Sequence, residues 1–263
     1  MGSIVLILIE FMFRMCLGIS LAMAVTPARY VTSGFYRVHL WVIMGLATFG
    51  GLMIYSSMSA AEAPAYLKPQ LYLAIAIAVV SYIGAVIWMY EASRAGVAAL
   101  LIVSLLSLVA MLAAVLKLSA AMIAWQMLDR ITGSFVVGLV TTAMLLGHWY
   151  LNTPGMRLEP LRQLLILLAL AILLRMLFSG AGLIATYAVA DSAPPLTQSW
   201  IAFLSLRWIA GLLATLGLTW LTWLTLKIPN TQSATGILYA GVILALIGEL
   251  TSQLMSAQNP FPL

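Results

Sequence analysis

Charged side chains are scarce in this sequence: Asp, Glu, Lys and Arg make up 7% of its 263 residues, whereas 64% are hydrophobic. A soluble domain carries about 25% charged residues, so this chain has too few polar groups to cover a water-exposed surface. We therefore expect the lipid bilayer to be the solvent for most of the chain. The net charge of +5 does not indicate nucleic-acid binding, because no basic stripe is interleaved with aromatic residues.

Cysteine and the short catalytic motifs are also missing or nearly so. The single cysteine, Cys16, cannot form an internal disulfide or a cysteine-rich metal site, and we interpret it as a small packing residue. The sequence has no HExxH, GxSxG, P-loop or GxGxxG in the context that each motif requires. We therefore expect no metal site, and nucleophilic, zinc and nucleotide chemistry have no support.

Long apolar runs are what the sequence does have. Runs of about 18 or more apolar residues predict spanning helices. None of the connections is long enough to fold as a soluble domain. We therefore predict one polytopic membrane domain, 1–263, and assign any redox centre or catalytic domain outside the membrane to another chain. The eight predicted spans are 3–25, 38–56, 70–90, 97–116, 131–151, 161–187, 199–225 and 235–256, with a short amphipathic stretch, KLSAAMIAWQMLDR, before the fifth.

The distribution of Lys and Arg between the loops predicts the orientation of the chain, because cytoplasmic loops carry an excess of these residues. Six of them fall on one side and three on the other. The side with six is predicted to be cytoplasmic, so with eight spans both termini lie on the outer, periplasmic side of a bacterial inner membrane. The six are Arg29, Arg37, Arg94, Arg157, Arg162 and Lys227, and the three are Lys68, Lys117 and Arg130.

Five ionisable residues fall well inside the predicted spans: Glu10, Arg14, Arg175, Arg207 and Glu249. A lone charge at the centre of a spanning helix costs roughly 2.5–3.5 kcal/mol on insertion scales. We therefore expect these side chains to face the bundle interior and to pair with one another.

The spacing and the depth of these charges indicate which of them pair. Glu10 and Arg14 are four residues apart, so they lie on one face of a helix. Glu10, Arg207 and Glu249 are predicted at one level in the outer third of the membrane, with Arg14 and Arg175 nearer the midplane. The expected partner of Glu249 is Arg207, on the preceding helix. A single buried ion pair is as consistent with a role in helix packing as with a functional site. The whole set of five charges on four helices favours a polar cavity.

The two histidines allow one cofactor to be considered. His39 and His148 lie at the predicted cytoplasmic ends of the second and fifth spans. A bis-histidine b haem between them is geometrically allowed. Haem ligands are usually buried more deeply, so we favour two interfacial histidines and expect no haem.

The last two spans carry a resemblance to a known family. LRWIAGLLATLGLTWLTWLTL and, after a short polar loop, GVILALIGELTSQLM resemble the end of the membrane anchor subunit of DMSO reductase-type molybdopterin oxidoreductases. Those anchors share an Arg in the seventh helix and GEL in the eighth. LWVIMGLATFGGLM resembles the second helix of the same family. The wider superfamily includes the anchors of polysulfide and nitrite reductase complexes.

The resemblance implies a subunit that binds menaquinol near the outer face, without haem, and passes electrons to an iron–sulfur subunit. By this resemblance, Arg207 and Glu249 correspond to polar residues that are typical of the family. The sequence departs from the family at two places. MIYSSMSAAEAP lacks the histidine expected after the second helix, and Gln70 stands where an acidic residue is expected at the start of the third. Both family residues serve quinol oxidation.

The leading functional prediction is a quinone-binding, or non-catalytic, anchor subunit of a quinone-linked respiratory complex. In it Arg207, Arg14 and Arg175 form the quinone pocket, and Glu249 or Glu10 relays a proton. The partners are iron–sulfur and catalytic subunits. The alternatives are a scaffold that keeps a degenerate site as a structural anchor, and a transporter of a small solute, proton or ion that uses the same charges. The sequence lacks the matched pair of broken helices that would favour a transporter.

Overall fold

A computed structural model describes residues 2–59, 63–153, 155–189, 194–228, 230–257, 259, 261 and 263. The described residues contain no strand, and 84% of them are helical. Among the described residues, eight helices are long and apolar enough to cross a membrane. This confirms the eight predicted apolar helices and indicates a multi-pass membrane protein.

The helices follow the predicted spans along the chain. The seventh is continuous but includes a π-helical segment, Leu206–Ala214. The parts of the loops AEAPAYLKP, NTPG, DSAPP and KIPNTQS that fall at 61–62, 154, 191–193 and 229 lie outside the described residues. The helices are α1 (Gly2–Val25), α2 (Ser33–Ser57), α3 (Leu67–Met89), α4 (Ser93–Ala113), α5 (Ala120–Asn152), α6 (Glu159–Val189), α7 (Gln198–Thr225) and α8 (Thr231–Ser256).

The start of α5 differs most from its prediction. The helix begins at Ala120, whereas the predicted span begins at 131. The amphipathic stretch before 131 contains neither Pro nor Gly, so nothing interrupts the helix there. Asp129, near the end of this stretch, is buried. Treating this stretch as separate from the span was therefore wrong.

The chain forms two compact units, Met1–Ile123 and Ala124–Leu263, here called unit 1 and unit 2. In unit 1, α1 packs against α2 and α4, and α3 packs against the same two helices. The four helices therefore close a ring of neighbours. Ser20 and Ser104 share a hydrogen bond of 2.7 Å between α1 and α4, and the Tyr36 ring stacks on Trp88 of α3 with centroids 4.0 Å apart.

In unit 2, α8 packs along most of α7, and α6 packs against the last part of α7. Small residues allow close contact here, as is common between helices in membranes. A Cβ atom added to Gly147 of α5 would lie 2.8 Å from the Thr235 hydroxyl of α8. The charged residues that the sequence places in the sixth, seventh and eighth spans therefore lie inside a closely packed unit.

Candidate functional site

Each of the four helices of unit 2 contributes one charged side chain to a buried cluster: Asp129 from α5, Arg175 from α6, Arg207 from α7 and Glu249 from α8. We call these four residues the charge network. None of them is more than 2% exposed. Two positive and two negative side chains make the network formally neutral. Mutual pairing is what permits charges at this depth, since an unpaired charge is costly in an apolar interior.

Glu249 is the shared acceptor of the network. Its Oε1 accepts from Arg207 Nη1 at 2.7 Å and from Arg175 Nε at 3.0 Å. Its Oε2 accepts from Arg175 Nη2 at 3.0 Å. The predicted pairing of Glu249 with Arg207 is therefore confirmed, and Arg175 binds the same carboxylate through two parallel bonds, the strongest arginine geometry for a carboxylate.

Arg175 connects the network to α5. Its Nη1 donates to Asp129 Oδ1 at 2.6 Å and to Thr132 Oγ1 at 3.1 Å. Its Nη2 also donates to Ser252 Oγ at 3.0 Å. With the two bonds to Glu249, these contacts engage all five N–H groups that a guanidinium carries. Arg175 therefore holds three helices together and has no donor left for a further ligand.

Two glycines explain why Arg207 and Glu249 meet. A Cβ atom added to Gly211 of α7 would lie 2.6 Å from the Cα of Gly248 in α8, so only glycine permits this approach. Gly211 lies in the π-helical segment one turn after Arg207, and Gly248 directly precedes Glu249. In the GEL sequence, Gly248 therefore brings the helices together and Glu249 forms the ion pairs. Such π segments often occur at functional sites.

The network lies towards one end of unit 2. Arg207 comes nine residues after the start of α7, and Glu249 comes seven residues before the end of α8. At 1.5 Å per residue, these positions are about 14 Å and about 10 Å from the helix ends. The two residues are in contact, so they lie at one level, as predicted, and each is nearer one end of its helix than the other.

The chain beyond α8 packs at this end of unit 2. Ser252 donates to the Leu263 carbonyl as well as accepting from Arg175. Leu263 is buried against Trp200 and Met255, so the end of the described chain is tied to the network through one serine.

Two groups beside the network lack a partner among the described residues. Arg207 Nη2 donates to Ser179 Oγ at 3.0 Å, but the Nε of the same guanidinium has no hydrogen-bond partner. Gln253 is 6% exposed, and neither atom of its amide is hydrogen-bonded. It lies one helical turn after Glu249. Buried polar groups in proteins are nearly always satisfied, so these two groups are the candidates beside the network for contact with an outside partner.

The other two predicted charges, Glu10 and Arg14, belong to unit 1. Glu10 Oε1 lies 3.5 Å from Arg14 Nε, one turn apart on α1. This confirms the predicted local pair. Arg14 is 3% exposed, so the pair is internal to unit 1, and its predicted roles in quinone binding and proton relay stay predictions.

Sequence reasoning missed Asp129 because it placed the amphipathic stretch before 131 outside the fifth span. Charge counting could have found it. Arg175 and Arg207 exceed Glu249 by one positive charge, so the second half of the chain needs one more buried carboxylate. Asp129 supplies it, and the buried network is neutral only with this residue included.

The two histidines make ordinary polar contacts. His39 Nδ1 lies 2.6 Å from the Phe35 carbonyl oxygen within α2. His148 Nδ1 lies 3.3 Å from the Tyr239 hydroxyl. They belong to unit 1 and unit 2 respectively, and a haem between them stays the less favoured prediction. Within the described ranges, no group of three His, Cys, Asp or Glu side chains could hold a metal ion.

No protein-family model matches the sequence, no curated protein matches it, and no solved structure matches the fold. The resemblance to respiratory anchor subunits therefore depends on the residues quoted above. The structure adds the contacts that those residues make inside unit 2.

Proposed function

We propose that this chain is the membrane subunit of a quinone-linked respiratory oxidoreductase complex in the cytoplasmic membrane of a bacterium. It binds menaquinone and associates with an iron–sulfur subunit and a catalytic subunit. One observation carries the proposal. The arginine and the GEL glutamate on which the resemblance depends are in contact at 2.7 Å, and they lie beside buried donors with no partner among the described residues.

The two donors are suited to a quinone carbonyl. A carbonyl oxygen accepts from an N–H group, and both Arg207 Nε and the Gln253 amide can donate. Leaving a buried donor unsatisfied costs about 1–3 kcal/mol, so a ligand that satisfies it gains affinity. In this proposal Arg207 and Gln253 contact the quinone ring, and Glu249 fixes the orientation of the Arg207 guanidinium.

Arg175 and Glu249 have positioning roles in this proposal. Every N–H of Arg175 is engaged, and Glu249 accepts three hydrogen bonds. A proton on Glu249 would remove the negative charge that Arg175 and Arg207 share, so the ion pairs would have to rearrange. The proton-relay role predicted for Glu249 therefore requires a rearrangement of the charge network. The relay roles of Glu249 and Glu10 both remain predictions.

The transporter alternative has no supporting observation among the described residues. The four charges of the network contact one another, and each is at least 98% buried. A charged side chain that lines a solute path would instead face water within the membrane.

Changing Gln253 tests the proposed quinone contact. We expect Gln253→Met to lower the menaquinone bound per purified chain by about fivefold to tenfold, because one hydrogen bond is worth roughly 1–1.5 kcal/mol. The thermal midpoint should stay unchanged or rise, because the variant removes an unsatisfied buried amide. Menaquinone would be extracted from protein purified in mild detergent and quantified by chromatography.

Gln232→Met is the matched control, because Gln232 lies exposed on the same helix, and it should leave the bound menaquinone unchanged. If wild-type protein reconstituted with menaquinone binds none, or if Gln253→Met binds as much as wild type, the proposed quinone site is wrong.

The proposed orientation places both termini in the periplasm, and single cysteines can test it. In a Cys16→Ser background, Lys117→Cys between α4 and α5 should react with a membrane-impermeant maleimide in intact spheroplasts. Lys227→Cys, between α7 and α8, should react only after permeabilisation. Both lysines are exposed, so access depends on the side of the membrane. The reverse labelling pattern would require the opposite orientation.

A further inference from the structure

A second feature of unit 2 lies away from the charge network. An apolar groove of about 660 Å³ runs between α6 and the last part of α7. Its α6 wall extends from Leu165 to Leu170, and its α7 wall extends from Leu213 to Trp223. Thr219 is the one hydroxyl in the lining, and it donates to the Thr215 carbonyl within its own helix. Apart from the indole N–H groups of Trp220 and Trp223, the groove therefore presents a hydrocarbon surface.

The groove matches the length of one bilayer leaflet. Ten residues separate Leu213 from Trp223, which corresponds to about 15 Å along the helix. The hydrocarbon core of a bilayer is about 30 Å thick, or about 15 Å for each leaflet. Trp220 in the lining is 61% exposed, so the groove opens outwards along its length.

A cation lies at one end of the groove. Arg162 Nη2 donates to the Leu226 carbonyl at 3.0 Å, across from α6 to the end of α7. Arg162 lies one turn before Leu165, and Leu226 lies one turn after Trp223, so the guanidinium lies where the groove ends. This bond uses one of the five N–H groups of the arginine. The side chain is exposed, so it is accessible to a polar headgroup whose acyl chain enters the groove.

This end of unit 2 carries net positive charge. Lys227 follows Leu226 directly and is exposed. Glu159 is the one carboxylate described nearby in sequence, and Arg157 binds it at 3.2 Å. Arg157, Arg162 and Lys227 against Glu159 give a net charge of +2. A phosphate bound at Arg162 and Lys227 would complement that charge, and its hydrocarbon chain would continue into the groove.

We infer that this groove is a binding site for an anionic phospholipid. One acyl chain lies between α6 and α7 against Trp220 and Trp223, and the phosphate contacts Arg162 and Lys227. The inference is independent of the quinone proposal, because it uses neither the charge network nor Gln253.

Native mass spectrometry of the full chain can test the inference, with phosphatidylglycerol and phosphatidylcholine of identical acyl chains added in equal amounts. Each Lys or Arg near an anionic lipid contributes about fivefold to binding, so two should favour phosphatidylglycerol by about 30-fold. Arg162→Gln combined with Lys227→Gln should reduce that preference to about onefold. Equal retention of the two lipids by wild type, or an unchanged preference in the double variant, would overturn the inference.

A groove-filling variant tests where the acyl chain lies. Gly217 lines the groove, and a Cβ atom added there meets nothing within 4 Å, so Gly217→Trp fills the space without a clash at the backbone. It should lower retention of phosphatidylglycerol about tenfold or more, since most of the buried chain loses its contacts. Gly236→Trp is the control, because a Cβ atom at Gly236 also meets nothing within 4 Å and Gly236 lies outside the groove.

Equal retention by Gly217→Trp and Gly236→Trp would place the lipid elsewhere and contradict the inference. So would loss of bound menaquinone in Gly217→Trp while phosphatidylglycerol is fully retained, because the groove would then hold a quinone tail.

Discussion

Glu249→Gln is expected to lower the free energy of unfolding of the purified chain by about 3–5 kcal/mol, the usual loss when one partner of a buried ion pair is removed. The substitution keeps the shape of the side chain. It leaves Asp129 as the one negative charge of the network, opposite the two positive charges of Arg175 and Arg207. One positive charge then remains uncompensated at a site where both arginines are fully buried. The loss can be measured by tryptophan fluorescence during denaturation in detergent micelles.

Glu159→Gln is the matched control for this prediction. Glu159 also pairs with an arginine, but both side chains are more than half exposed. An exposed ion pair is worth about 0–1 kcal/mol, so this variant should unfold close to wild type. If Glu249→Gln were as stable as Glu159→Gln, the buried network would not stabilise unit 2.

Gly248→Ala is expected to destabilise the chain by at least about 1–3 kcal/mol, the typical cost of overpacking a filled interior. A Cβ atom at Gly248 would overlap the backbone of Gly211, and backbone cannot move aside as a flexible side chain can. The helices would have to separate, which would also lengthen the contact between Arg207 and Glu249. Denaturation in detergent micelles measures the loss of stability. The amount of bound menaquinone should also fall, because the contact between Arg207 and Glu249 lengthens.

Gly236→Ala provides the comparison on the same helix. Gly236 is exposed, and an added Cβ atom has no neighbour within 4 Å. Alanine is favoured over glycine inside a helix by about 0.5–1 kcal/mol, so this variant should be unchanged or more stable. A Gly248→Ala protein that behaves like Gly236→Ala would contradict the close approach of α7 and α8.

The apolar helices could be predicted from the sequence because hydropathy over a span depends on many residues at once. The pairing of Glu249 with Arg207 could also be predicted, since a lone charge in lipid is too costly to remain unpaired. The same argument gave the local pair of Glu10 and Arg14.

Other parts of the site could not be predicted. Asp129 was missed because its segment is less apolar than its neighbours, and hydropathy separates such a segment from the span that it extends. The central position of Arg175 depends on how α5, α6 and α8 pack, which no local pattern specifies. The π-helical segment at Leu206–Ala214 has no sequence signature either, although the small residues Gly211 and Gly248 were visible in the sequence.

The contact between Arg207 and Glu249 also gives a physical meaning to the short GEL sequence. In unit 2 the glycine permits the closest approach between α7 and α8, and the glutamate pairs with arginines from α6 and α7. Both properties hold a helix interface together without any ligand. The ion pairs alone therefore do not support the quinone proposal, which also needs the unsatisfied donors of Arg207 and Gln253.

The central claim is that Arg207 and Glu249 act as members of one neutral network, and a double-mutant cycle tests it most directly. The unfolding free energies of Arg207→Gln, Glu249→Gln and the double variant would be compared with wild type in the same micelles. The account predicts that the double variant, which restores neutrality, is more stable than Glu249→Gln alone, with a coupling energy of about 2 kcal/mol or more. Losses that simply add, with no coupling between the two positions, would contradict it.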